Sequence, residues 1–218
     1  MNRLTLKLVV AAVILCVTII SGGQAEEALE KMRSAWKTVS TYQVILKVHQ
    51  TKDGKTDDRT LKFGYKKPGW IRTDILEGKN KGGIAVYDPA KAKIRAREAG
   101  IAVTLSPDAK ITLGLRGERI YDASFTAMLK KADWYLANGG ISYVCQDTVD
   151  GAPCSVIEFK TTVPDKNRGI ARERWWLDSR TGFPRKTNGF DSGGSKVEYV
   201  IFRDLKLNPA FAEDHFSL

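Results

Sequence analysis

The hydrophobic residues follow two different periods along the chain, and each period predicts one type of element. In residues 27–39, apolar side chains recur at steps of three and four, the spacing of one face of an α-helix. A second stripe of this kind covers residues 125–136, with Asp122 as its predicted N-cap and an Asn-Gly-Gly stop at 138–140. The sequence therefore predicts two amphipathic helices, one early in the chain and one in its middle.

Outside these helices, apolar and polar residues alternate, as they do over residues 42–48, and this two-residue period indicates β-strands. Turn-forming pairs at 53–54, 150–151 and 181–182 separate such segments. Connections this short join neighbouring antiparallel strands. We therefore predict an α+β, mostly β fold with about ten strands: one large antiparallel sheet, curled into an incomplete barrel, with the helices covering its concave face.

The first 25 residues have the pattern of a secretory signal peptide. Arg3 and Lys7 precede an apolar run over residues 8–20, and Gly23 and Ala25 form a small-x-small cleavage pattern. Because a spanning helix needs about 20 apolar residues, a cleaved signal is favoured over the alternative, an uncleaved membrane anchor. We expect cleavage after Ala25, a periplasmic location, and one mature domain over residues 26–218.

The charge of the chain gives little information about its partners. Removal of residues 1–25 lowers the formal net charge from +10 to +8. A basic surface can attract anionic lipids or polymers, but the lysines and arginines are spread along the chain, which favours the alternative of a solvated surface. With no nucleic-acid-binding motif in an exported protein, we do not expect nucleic acid as a partner.

Cys145 and Cys154 are the two cysteines of the predicted mature domain. They lie in a segment predicted to be a hairpin, with its turn at 150–151. If residues 148–151 form a four-residue loop, the cysteines face each other across the strands, and an oxidising compartment permits a disulfide. The alternative, a redox or metal site, lacks both a CxxC spacing and a histidine nearby in sequence. We therefore predict a structural disulfide and no metal site.

Turn and strand motifs link the chain to a known group of proteins. The motifs are W-L-D-x-x-T-G-x-P over residues 176–184, D-x-x-G over 191–194 and F-x-D-L-x-L-N-P over 202–209, with A-L-E-K-M-R at 28–33 and K-K-P-G-W-I-R at 66–72. This set resembles the outer-membrane lipoprotein-sorting, or LolA-like, superfamily. The resemblance touches nearly the whole mature chain.

The resemblance implies an incomplete antiparallel barrel with a helical lid and an apolar cavity, in proteins that bind lipoproteins or lipids or that sense envelope proteins. The motif residues themselves have structural roles. Gly182 permits a tight turn, Pro184 limits strand pairing, and Asp178 can accept backbone hydrogen bonds. The motifs are therefore evidence for the fold, and they do not identify the ligand.

Catalysis is not expected from this sequence. The two histidines, His49 and His215, are far apart in sequence, and no zinc-protease, serine-hydrolase or phosphate-loop motif occurs. Acidic pairs at 26–27 and 57–58 lie in terminal or turn segments, where solvation accounts for them. We therefore predict a protein that is not an enzyme and that carries no cofactor.

Five tryptophans favour a binding role. Trp175 and Trp176 are neighbours on a strand and point to opposite faces, so one lies in the core and the other is exposed, covered or facing a ligand. Most aromatic side chains in a domain are simply core, which is the alternative at each position. The residues predicted to line an apolar cavity are Leu46, Phe63, Trp70, Met128, Trp134 and Trp176.

Two functions are compatible with these features. The preferred one is an exported carrier or chaperone that holds a lipid, or the acyl chains of a lipoprotein, in an apolar cavity without covalent chemistry, with a basic rim meeting anionic headgroups. The alternative is a periplasmic protein-interaction or sensor module of the same fold, with envelope membrane proteins as partners. An empty apolar groove favours the carrier, and an interior filled by side chains favours the module.

Overall fold

The computed structural model describes residues 23–218, which form two α-helices and eleven β-strands. Helix α1 covers residues 23–37, and α2 covers Phe125–Ala137. The strands are β1 Thr41–Lys52, β2 Lys55–Lys66, β3 Trp70–Gly78, β4 Ile84–Asp88, β5 Lys93–Glu98, β6 Ile101–Leu105, β7 Gly139–Val149, β8 Ala152–Thr161, β9 Arg172–Asp178, β10 Pro184–Phe190 and β11 Lys196–Leu207.

All eleven strands belong to one antiparallel sheet in the order β6-β5-β4-β3-β2-β1-β11-β10-β9-β8-β7. Hairpins or short connections join the neighbours within β1–β6 and within β7–β11, and the pairing of β1 with β11 joins these two halves. Strands β6 and β7 are the two free edges of the described sheet, so it does not close into a barrel. The predicted α+β fold with one curled antiparallel sheet is confirmed.

The helices pack on the concave face, where they bury the apolar stripes seen in the sequence. Tyr42 of β1 is fully buried and stacks on Phe125 of α2, with the ring centroids 4.3 Å apart. Its hydroxyl also accepts a hydrogen bond from the Phe125 backbone N–H at 3.2 Å. From α1, Leu29 and Met32 join the same core. Aromatic stacking and apolar burial therefore fix both helices to the centre of the sheet.

Helix α2 begins two residues later than predicted. Its N-cap is Ser124, whose Oγ accepts the Ala127 backbone N–H at 3.2 Å. Asp122 belongs instead to a 3₁₀ turn over Ile120–Ala123, where it accepts the Arg119 backbone N–H at 3.0 Å. The Asp122 prediction was wrong because this turn precedes the helix; the predicted stop is confirmed, with Asn138 as the C-cap.

The predicted signal peptide lies mostly at residues 1–22, outside the described residues. Of the predicted cleavage pattern, Gly23 and Ala25 are helical, and Ala25 is buried in the core. Within residues 23–218, no helix combines the length and the apolar character needed to cross a membrane.

The predicted disulfide is not present in this structure, where Cys145 and Cys154 are both free thiols. The β7–β8 hairpin has a two-residue turn instead of a four-residue loop, since Val149 already pairs with Ala152. This register sets Asp147 opposite Cys154. The two cysteines are therefore diagonal neighbours, a position from which side chains approach less closely than directly opposed ones.

Candidate functional site

A groove of about 590 Å³ lies on the concave face of the sheet. Its floor consists of inward-facing residues from β1 to β6, which are adjacent in space because side chains at every second position share one face. The apolar residues of the floor are Leu46, Val48, Leu61, Phe63, Ile75, Ala85, Ile94, Ala96, Ile101, Val103 and Leu105. The volume is within the range of about 300–1,000 Å³ typical of small-molecule sites.

The segment of residues 106–124, between β6 and α2, lies across the groove and contributes Ile111, Ile120 and Ala123 to its lining. Arg116 anchors this segment, because its guanidinium donates to the carbonyls of Thr51 and Arg168, both at 2.6 Å. Helix α2 contributes Met128 and Lys131, whereas α1 is absent from the lining. The segment 106–124 therefore has the covering position that the resemblance implied for a helical lid.

The mouth of the groove is apolar and open to solvent. Ile101 and Val103 of β6 are 70% and 45% exposed, and Ile111 from the covering segment is 76% exposed. β6 is also a free edge of the described sheet, a position that proteins usually protect with charges or short strands. Exposed apolar side chains grouped at a groove mark a surface that contacts another molecule.

The opposite end of the groove is polar and buried, and Glu173 of β9 lies at its centre. The Glu173 carboxylate accepts three hydrogen bonds, from Lys131 Nζ at 2.7 Å, Trp175 Nε1 at 2.8 Å and the Tyr135 hydroxyl at 3.2 Å. Asn167 also donates to the Tyr135 hydroxyl, at 2.6 Å. This fully partnered network connects α2 to β9, which stabilises the buried charge of Glu173.

Arg168 forms a second, half-buried ion pair at this end. Its Nε lies 3.1 Å from Glu118 Oε1, and its Nη1 lies 3.7 Å from Asp122 Oδ2. Burial disfavours the charge of Arg168, but the carboxylates around it outweigh burial and raise its pKa above the usual value. The covering segment 106–124 is thereby tied to the chain that follows β8.

Glu198 of β11 completes the polar end and lies opposite Gln50 of β1. Gln50 Nε2 donates to Glu198 Oε2 at 3.0 Å. Burial raises the pKa of Glu198 to about 7; the nearby carboxylates of Glu118 and Glu173 add to this rise, and the cations Lys131 and Arg168 oppose it. Glu198 is therefore a groove-lining acid that titrates close to neutral pH.

Of the six residues predicted to line a cavity, the structure places Leu46, Phe63 and Met128 on the groove wall. The three tryptophans of that set lie elsewhere. Trp70 contacts Phe216 of the C-terminal segment, with ring centroids 6.4 Å apart, and Trp134 packs beside Tyr135 at 5.3 Å. Trp70 pairs with Lys66, while its neighbour Ile71 points into the core.

Trp176 is on the opposite face of the sheet from the groove because its neighbour Trp175 occupies the core. Its Nε1 donates to Asp147 at 2.8 Å, and the Lys186 ammonium lies 4.5 Å from its ring centroid. Trp176 belongs to a small outer cluster with Cys154 and Val156. Of the three possibilities for the outer tryptophan, exposed, covered or facing a ligand, Trp176 is the covered one.

Sequence reasoning missed the half of the groove formed by β5, β6 and the covering segment. The pattern of Ile94 and Ala96 on one face of a basic strand was the available signal, and both residues line the groove. Their aliphatic side chains lack the aromatic character on which the prediction relied. The polar end, with Glu173 and Glu198, was also missed, since its members come from separate parts of the chain.

Comparison with known proteins identifies the family. The family model of the sporulation protein YdcC-like proteins matches residues 2–216. The chain belongs to the sporulation protein YdcC-like family. A search of curated proteins finds no match.

Solved structures are similar to this chain in fold at low sequence identity. An uncharacterized conserved protein from Thermus thermophilus has a TM-score of 0.55 at 8% identity, over 88% of this chain and 92% of that one. Lipoprotein LppX from Mycobacterium tuberculosis has a TM-score of 0.53 at 10% identity, over 85% and 98%. A putative outer membrane lipoprotein-sorting protein domain from Vibrio parahaemolyticus has a TM-score of 0.47 at 11% identity, over 90% and 97%. The two structures with TM-scores above 0.5 show that this chain shares their overall fold.

Proposed function

We propose that this protein is an exported binding protein that holds a lipid, or the acyl chains of a lipoprotein, in the concave groove without covalent chemistry. The observation that carries the proposal is the groove itself: about 590 Å³ of space above a floor of aliphatic and aromatic side chains. Burial of an acyl chain there is favourable by about 0.8 kcal/mol per methylene. Binding of this kind needs no catalytic residue, and the LolA-like fold is consistent with it.

The exposed mouth supports the same function. A soluble protein gains nothing from exposing Ile101 and Ile111 at the rim unless another apolar group covers them. An acyl chain that extends from the floor to the rim would cover both. Movement of the segment 106–124, which lies across the groove, would then control entry and release.

The alternative, a protein-interaction or sensor module, has less support. That function was expected to go with an interior filled by side chains. The groove between β1–β6 and the covering segment is instead open over its apolar floor. The carrier or chaperone function is therefore the one that we put forward.

Native mass spectrometry of the mature protein, purified from the envelope without detergent, tests the proposal. We expect a bound amphiphile at one copy per protein, which solvent extraction removes and which its fragmentation identifies by class. A mass equal to that of the protein alone, unchanged after incubation with envelope lipids, would contradict the proposed function.

A matched pair of variants locates the binding. Ala96 on β5 faces the groove floor, so Ala96→Trp should fill it and lower the bound amphiphile at least tenfold. Ala102 on β6 is a close neighbour on the outer face, where it pairs with Arg97, so Ala102→Trp should leave binding unchanged. Both variants should keep the wild-type circular dichroism. Equal binding by both variants would place the amphiphile outside the groove.

A further inference from the structure

The polar end of the groove contains more acidic than basic groups. Four carboxylates and three cations meet there: Glu118, Asp122, Glu173 and Glu198, with Arg116, Lys131 and Arg168. Arg119 also lines the groove, but it pairs with Asp108 at 2.5 Å, so if all four acids are ionised, one negative charge lacks a positive counterpart. An uncompensated buried charge is costly, so this imbalance calls for an explanation.

The ion pairs identify which acid is in excess. Lys131 pairs with Glu173 at 2.7 Å, and Arg168 pairs with Glu118 at 3.1 Å and is also near Asp122. The Arg116 guanidinium is occupied by two backbone carbonyls. The hydrogen bonds and ion pairs of these three cations therefore go to groups other than Glu198.

Glu198 is the acid without a cation. Within residues 23–218, no basic nitrogen lies within 4.0 Å of its carboxylate, and its one hydrogen bond comes from the neutral amide of Gln50 at 3.0 Å. That bond uses Oε2, so within the described chain Oε1 has no hydrogen-bond partner. The residue is 6% exposed, and it lines the groove. One oxygen of a nine-tenths-buried carboxylate is thus available to whatever occupies the groove.

The surroundings of Glu198 define the shape of a fitting ligand. The next inward-facing residues on the same two strands are Val200 and Val48, followed by Phe202 and Leu46. The wall therefore changes from polar to apolar within two strand positions, and it continues apolar to Ile101 at the mouth. Within the described chain, no three metal-ligating side chains converge, so an organic cation fits this place better than a metal ion.

We infer that the ligand of the groove is an amphiphile whose polar end carries a protonated amine, and that Glu198 is the counter-ion of this amine. The inference rests on the proposed function, because it names the chemical class of the ligand that the groove would hold. An ammonium group would supply the missing charge and donate to Oε1. A phosphate or carboxylate at the same position would be repelled by Glu198, Glu173 and Glu118. The headgroup inferred here is therefore cationic, whereas the sequence led us to expect anionic headgroups.

Three ligands with the same twelve-carbon chain test this inference: dodecylamine, dodecanol and dodecanoate, each displacing an apolar fluorescent dye from the purified protein. At pH 8 we expect dodecylamine to bind at least tenfold more tightly than dodecanol, and dodecanoate to bind most weakly. The preference for the amine should shrink toward pH 6, because Glu198 takes up a proton as the pH falls; the charged groups that face it are Lys131, Arg168, Glu173 and Glu118.

Two variants separate the role of Glu198 from general effects on the groove. Glu198→Gln should remove the preference for dodecylamine and leave the affinity for dodecanol unchanged. Asp58→Asn is the control, because Asp58 is an acid on the neighbouring strand β2 that lies opposite His49 and does not line the groove. We expect Asp58→Asn to retain the amine preference.

The outcomes distinguish the two proposals. If the dye and all three ligands fail to bind, the proposed function fails and the inference fails with it. If dodecanol binds as tightly as dodecylamine to the wild type, or if Glu198→Gln weakens all three ligands equally, the inference is overturned while the proposed function stands. The ligand ranking in the wild type decides the matter even if Glu198→Gln does not fold.

Discussion

Arg185 holds the carboxylate of Asp178 through two hydrogen bonds, from Nε and Nη2 to Oδ2 at 2.9 and 2.7 Å. The other oxygen of Asp178 accepts the backbone N–H groups of Arg180 and Thr181, at 2.8 and 3.1 Å. Asp178 is buried at the end of β9. The W-L-D-x-x-T-G-x-P motif is therefore a turn between β9 and β10, organised by one buried carboxylate.

Replacing Asp178 by Asn should destabilise the protein by about 2 kcal/mol at neutral pH, the size expected for lost hydrogen bonds to a charged group. Burial opposes ionisation of Asp178, but the bonds from Arg185 and the two amides outweigh it and hold its pKa below the usual value. Its stabilising effect is then fully present above the unfolded-state pKa and is lost as pH falls through the folded-state pKa.

Thermal unfolding between pH 7 and pH 3 measures this effect. The difference in Tm between the wild type and Asp178→Asn should be largest at pH 7 and should close in acid. Asp53→Asn, in the exposed β1–β2 turn, should give no difference at either end of this range. A difference in Tm between the wild type and Asp178→Asn that stays constant with pH would show that the charge of Asp178 does not affect stability.

Gly182 in the same turn allows helix α1 to pack closely against it. Its replacement by Ala should lower the free energy of unfolding by about 1–2 kcal/mol. Its φ is +77°, a backbone conformation disfavoured for other residues, and an added Cβ would lie 3.1 Å from the Lys31 carbonyl carbon of α1. Gly151 also has a positive φ, of +75°, but an added Cβ would meet nothing within 4 Å. Chemical denaturation should therefore show a larger loss of unfolding free energy for Gly182→Ala than for Gly151→Ala. Equal losses would mean that the close approach to α1 does not matter for stability.

Local patterns predict the sheet because strand alternation and turn chemistry reside in neighbouring residues. The period of two over β1 places Leu46 and its partners on one face, and the pairs at 53–54 and 150–151 occur where the hairpins turn. The register of paired strands is harder to predict from the sequence. The same turn at 150–151 closes with two or four residues, and that choice decides whether Cys145 meets Cys154.

The site is less predictable because its members are brought together by tertiary contacts. Nothing in the sequence says which of Trp175 and Trp176 faces the core, since strand alternation gives opposite faces without naming the inner one. The role of Glu198 depends on which cations around it are already paired, and these come from α2 and from the chain after β8. These pairings exist only in the folded chain, so local sequence patterns do not reveal them.

The two cysteines of the described chain should differ in reactivity. Cys145 is exposed, whereas Cys154 is buried, and burial raises the pKa of its thiol above the usual value. In a chain that starts at residue 26, a thiol reagent at pH 8 should therefore label one cysteine under native conditions and two in denaturant. Labelling of neither residue in denaturant, with a mass two hydrogens lower, would mean that the disulfide predicted from the sequence forms after all.

Among the polar contacts of the groove, those of Glu173 should lose the most stability when they are broken by substitution. Glu173→Leu leaves Lys131, Trp175 and Tyr135 without their acceptor, and breaking a buried pair in this way costs about 3–5 kcal/mol. Lys131→Met in the same chain removes the charge left behind, so the double variant should be more stable than Glu173→Leu alone. Urea denaturation of the wild type, both single variants and the double variant measures the coupling energy. Losses that simply add would mean that Lys131 and Glu173 do not stabilise each other, and that the contact between α2 and β9 depends on apolar packing.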